Sequence, residues 1–188
     1  MKKLLSVLLI LALCITSAAM AEAAPSVTTQ DVIRARVEAT AENGTGFFLI
    51  IHDTNVSDDQ LARLLVAVNL DTYFGNINKQ DGERTRLFDL MGTENVNVFE
   101  FTGVDVGNYQ PSFGAVTVKA RFVTQYSKDD KVVVLIGIPG RSLNWTAFEA
   151  QVIDEQGTLE FVLPAQTVSA IQQWTGLIAV ANASQAVK

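Results

Sequence analysis

From Asn95 onward, apolar and polar side chains alternate in short runs with a period of two, and this most constrains how the chain folds. Val116, Val118, Ala120 and Phe122 alternate with Thr117, Lys119 and Arg121. Phe148, Ala150 and Val152 alternate with Glu149 and Gln151, and Leu159, Phe161 and Leu163 flank Glu160. Residues 132–138 are continuously apolar, as in a strand covered on both faces. Further strands are predicted around 96–101 and 176–181. Lys128-Asp129-Asp130 and Glu155-Gln156-Gly157 supply turns, and Pro164 opens a short helix ending near Trp174. Six short strands separated by turns predict an antiparallel sandwich.

The first half reads differently. Residues 31–42 fit a helix, with an Arg34–Glu38 pair and Gly44 past its end. They fit a strand equally well, alternating Ile33, Val37 and Ala39 with Arg34, Arg36 and Glu38; the helix is the marginal first choice. Phe47-Phe48-Leu49-Ile50-Ile51 reads as a strand buried on both faces. Ser57-Asp58-Asp59-Gln60 is a capping box ahead of an amphipathic helix through Leu61, Leu64, Leu65 and Val68. Residues 83–91 suggest a second short helix stopped by Gly92. The expected fold is therefore α+β: an N-terminal α/β segment over 22–94, then an antiparallel Ig-like β-sandwich over 95–188.

Residues 1–21 have the layout of a secretory signal peptide. Lys2 and Lys3 precede an apolar run over 4–15, and Ala19-Met20-Ala21 is the expected cleavage site for signal peptidase, with Ala21-Glu22-Ala23 as a second option. Leu13 before Cys14 argues against lipidation, and the apolar run is short for a membrane anchor. The chain is expected to be exported: secreted, surface-associated, or periplasmic if the host has an outer membrane. Cys14 is the only cysteine, so after cleavage there is no disulfide, thiolate metal site or cysteine nucleophile. Of 14 basic and 20 acidic residues, Lys2 and Lys3 leave with the leader, giving a net charge of −8. No Lys/Arg cluster occurs in the sequence, which speaks against nucleic acid and anionic membrane surfaces as partners.

The cadence of the second half has a family likeness. It runs Val98-Phe99-Glu100-Phe101, Gly107-Asn108-Tyr109, Phe113-Gly114-Ala115-Val116-Thr117-Val118 and Lys131-Val132-Val133-Val134-Leu135-Ile136-Gly137. Trp145-Thr146-Ala147-Phe148-Glu149-Ala150, Gly157-Thr158-Leu159-Glu160-Phe161 and Ile178-Ala179-Val180 follow. Residues 95–182 resemble Ig-like β-sandwich modules of secreted, uncharacterised proteins of Gram-positive anaerobes. The resemblance implies a sandwich and an extracytoplasmic setting, and it implies no activity.

The chemistry-bearing residues are sparse. His52, the only histidine, stands beside Asp53 at a strand end, but no G-x-S-x-G nucleophile turn exists. Asp53, Asn55 and Ser57 match the first ligands of a calcium loop, yet Asp58 and Leu64 occupy the glycine and glutamate positions. No catalytic residue, metal site or cofactor is assigned. Glu100, Glu149 and Glu160 lie on predicted strands, where outward, solvated carboxylates are the default. Trp145 and Trp174 read as packed, and four N-x-S/T matches read as chance. The candidate binding loop is Tyr109-Gln110-Pro111-Ser112-Phe113, with Tyr109, Pro111 and Phe113 as contact residues unless the rings fold inward. The expected function is a non-catalytic module for binding, adhesion or envelope structure, its partner a cell-envelope protein or polysaccharide. The alternative is a small secreted hydrolase using Asp/Glu carboxylates, with or without His52.

Overall fold

A computed structural model describes residues 36–53, 74–138 and 144–183, apart from the side chain of Phe99. The expected signal segment, the capping box expected at Ser57 and the helix expected after it fall on residues outside the described ones. Among the described residues ten strands form one sheet: β1 Arg36–Ala41, β2 Phe48–His52, β3 Ile77–Asn78, β4 Arg84–Thr85 and β5 Asn97–Gly107 come first. β6 Val116–Arg121, β7 Lys131–Ile138, β8 Asn144–Val152, β9 Leu159–Leu163 and β10 Gly176–Ala183 follow. Two helices, α1 Leu87–Met91 and α2 Ala165–Trp174, are the α component among the described residues.

The main strand order is β1-β6-β9-β8-β7-β10-β5-β2, each neighbour antiparallel. This order forces curvature. Laid flat, seven strand spacings of about 4.8 Å would put β1 and β2 roughly 34 Å apart. The chain from Ala41 to Phe48 reaches at most about 25 Å. The sheet must curl until its two ends meet, and β1 and β2 do lie against each other. The result is a nearly closed antiparallel barrel. It corrects the expectation of an N-terminal α/β segment followed by an Ig-like sandwich, because β1 and β2 are the two ends of the same sheet.

Alternation explains the interior. Val116, Val118 and Ala120 of β6, Leu159, Phe161 and Leu163 of β9, and Val132, Val134 and Ile136 of β7 all point inward. Phe148, Ile178, Val180, Leu49 and Ile51 join them, and Val168 and Ile171 of α2 close one end. An eight-stranded barrel has room either for side chains or for one small ligand, and this one holds side chains.

A second core lies outside the barrel. Val133 and Leu135 of β7, Trp145 and Ala147 of β8, and Ala179 and Ala181 of β10 are covered by Phe74, Ile77, Leu87 and Met91. This is why 132–138 is apolar throughout: both its faces are buried. Gly137 pairs with Trp145, and a Cβ there would meet the indole ring at 2.8 Å.

The strands predicted in the second half are present, and so is the helix after Pro164. Gly92 caps α1 in the left-handed region, its N–H donating to the Phe88 carbonyl at 2.8 Å. The helix predicted from 83 starts only at Leu87, because Arg84–Thr85 pairs with β3 instead. Three readings are corrected. Residues 36–41 are strand, held by the β6 ladder, rather than helix. β2 is buried on one face only, leaving Phe48 50% and Ile50 39% exposed at the end of the sheet. Trp174 is 59% exposed, since α2 packs through Val168 and Ile171.

Candidate functional site

The loop after β5 folds its rings inward. The Tyr109 hydroxyl donates to the Gly114 carbonyl, and only 4% of the residue is exposed. Its N–H donates to Gln172 Oε1 at 2.6 Å, and Gln172 Nε2 donates back to its carbonyl at 3.1 Å. Burial, then the Glu42 charge, raises the phenol above its ordinary range. Phe113 is half-buried and meets Tyr109 edge-on at 5.9 Å, with Phe47 at 5.9 Å from Tyr109 and 6.4 Å from Phe113. Three rings thus stopper the α2 end of the barrel, and only Pro111 of the candidate trio is exposed. The structure brings Tyr109 and Phe113 together as packing.

His52 faces Asp105 across the β2–β5 pair. Its Nε2 lies 2.9 Å from Asp105 Oδ2, and its Nδ1 lies 2.8 Å from the Asp53 carbonyl. Both partners are acceptors when Asp105 is ionised, so both hydrogen bonds form when both ring nitrogens carry protons. The two contacts hold the ring in place between β2 and β5.

Glu100 sits in a bulge of β5, with φ of 56° where the register to β10 shifts. Its Oε1 accepts the Thr124 N–H at 2.7 Å, so the carboxylate ties the β6–β7 connection. Glu149 and Glu160 point outward, Glu160 towards Lys119 at 3.4 Å.

The recess that matters lies on the outer face. A groove of about 960 Å³ runs between residues 75–90 and the outward side chains of β7 and β8. Val133, Ala147 and Glu149 form its floor, on strands whose opposite face fills the barrel. The covering segment forms its wall. β3 adds parallel to β8, with Ile77 opposite Trp145, and Phe74 stacks edge-on to that indole at 5.2 Å. Lys131 Nζ donates to the Leu90 carbonyl at 2.6 Å, fastening α1 to the start of β7. A second recess of about 530 Å³ continues past Glu149 to Gln151, Glu160 and Val162.

Some of the groove's charge is satisfied internally. Lys79 and Glu83 pair at 2.7 Å, and that hydrogen bond raises the ammonium's pKa. Asp81 Oδ1 accepts the Glu83 N–H at 2.9 Å. Arg84, Asp89 and Glu149 are exposed and have no hydrogen-bonded or ion-paired partner among the described residues. Among the described residues, no three His, Cys, Asp or Glu side chains converge as metal ligands. Sequence reading missed this groove because 71–82 looks like an ordinary polar loop and only the fold lays the described part, from residue 74 on, over β8. Comparison with protein-family models, curated proteins and solved structures returns no match, so the likeness of residues 95–182 to Ig-like modules rests on the quoted residues alone.

Proposed function

We propose that the chain is an exported, non-catalytic module that binds a cell-envelope component through the groove over β7 and β8. The observation that carries this reading is the filled barrel. With the interior occupied by side chains, a ligand must be met outside, and the groove is a wide recess there with unsatisfied charge. Export rests on the signal-peptide layout of residues 1–21.

The test is retention of host envelope extract by immobilised residues 22–188. The reading predicts a specific, saturable partner, weakened about tenfold or more by Arg84→Glu and by Glu149→Lys. Both positions are exposed, so the unfolding midpoint should hold. Equal retention by wild type and both variants would sink the groove as the contact surface. One observation favours a hydrolase instead: the carboxylates of Asp89 and Glu149 open on the same groove. Turnover of an envelope substrate that is abolished by Glu149→Gln would transfer the assignment to that reading.

A further inference from the structure

We infer that the groove's ligand is a peptide segment carrying a primary amine and a carboxylate, rather than a glycan; this rests on the groove reading above. Two guanidinium groups line the recess, and Arg86 is already engaged within the protein, as are Lys79, Asp81, Glu83 and Lys131; what remains is the Arg84 guanidinium and two carboxylates, Asp89 and Glu149. A guanidinium offers a planar fork that fits a carboxylate with two parallel hydrogen bonds. An ammonium carries three donors and no acceptor, which suits two carboxylates. A ligand with both groups satisfies all three side chains; a neutral sugar leaves their charges unmatched. Among the described residues the lining of the groove also includes no aromatic ring on which a sugar face could stack, Trp145 being buried beneath Phe74. Asn76 and Gln80 add amide groups that can hydrogen-bond a peptide backbone.

The groove has length to match. Its second recess extends along the outer face from Glu149 towards Gln151 and Glu160, where Glu160 is already engaged by Lys119. The ligand's carboxylate therefore belongs at the Arg84 end and its amine near Glu149, with the chain between them lying over Val133 and Ala147.

The experiment is calorimetric titration of residues 22–188 with an N-acetylated Ala-Lys-Ala-Ala peptide, which has one amine and one free carboxylate. Three further arms use the same peptide with its lysine acetylated, the same peptide amidated at its C-terminus, and chitotetraose. Binding near about 1 mM is expected for the first, weakened roughly tenfold by either modification. Arg84→Gln should weaken the parent peptide yet leave the amidated one unchanged, and Glu149→Gln should do the same with the lysine-acetylated one. Binding of chitotetraose without the peptide would overturn the peptide assignment while leaving the groove standing, provided Glu149→Gln weakens it. Peptide binding indifferent to both variants would overturn the assignment of these residues. No binding of either probe, while envelope retention still depends on Arg84, would overturn the amine-and-carboxylate chemistry; loss of that dependence as well would remove the groove reading itself.

Discussion

At the scale of single residues, chemistry follows from where the fold puts each side chain. Tyr126 is 2% exposed within the barrel core, and burial first, then the charge of Glu100, pushes its phenol well above the ordinary value near 10. The folded state therefore resists ionisation that the unfolded chain undergoes freely. This contribution to stability is fully present below about pH 10 and is lost as pH rises beyond it, because only the unfolded state then releases the proton. Urea midpoints should fall between about pH 9 and 11, and Tyr126→Phe should fall less over that interval. An identical fall in both proteins would assign the effect elsewhere. Asp154 behaves in the opposite sense. Hydrogen bonds from Thr158 come first, then one from Gln156 and the nearby Arg121 charge, and they lower its pKa. That carboxylate supports its turn above the ordinary acid range and stops doing so as pH falls.

Among elements, what was legible in the sequence is what depends on near neighbours. The period-two runs at 116–122, 148–152 and 159–163 are strands because one face of each meets the barrel interior. Pro164 was enough to place α2, which the structure packs through Val168 and Ile171. β1 was ambiguous because six residues alternating Arg36, Glu38 and Thr40 outward suit either period; pairing with β6, far away in the chain, decides it. β2 misled for a related reason. An apolar run usually means two buried faces, but here Phe48 covers Gly107 from outside, where a Cβ would meet its ring at 2.1 Å. The inward fold of Tyr109 and Phe113 depends on Phe47 and Gln172, which no local pattern connects to them. Register also creates a cluster that a sequence scan cannot see: Arg36 stands directly opposite Arg121 at the end of the β1–β6 ladder. Both are exposed, and like charges directly opposed on a sheet are unfavourable. Arg36→Glu should therefore raise stability by about 0.2–1 kcal/mol, read from the urea midpoint at low salt, with the gain shrinking as salt is added. A loss of stability would mean the pair is not set against itself.

For the whole molecule, two cores share one sheet. β7, β8 and β10 carry the barrel interior on one face and the cover of residues 74–96 on the other. The groove is a product of that double use, since the cover leaves the outer ends of β7 and β8 open while burying Trp145. A sandwich reading would have looked for contacts in the loops at the sandwich ends, where Tyr109 and Phe113 instead act as a stopper. The proposed binding surface is this outer groove and not the barrel end. Amide hydrogen exchange of residues 22–188, with and without saturating host envelope fraction, tests that claim most directly. Slowed exchange concentrated in 75–90 and at 131–133 and 147–149, with 109–114 unchanged, is the predicted result. Slowing centred on 109–114 and 47–48, with the groove unchanged, would contradict it and return the binding surface to the Tyr109–Pro111–Phe113 loop.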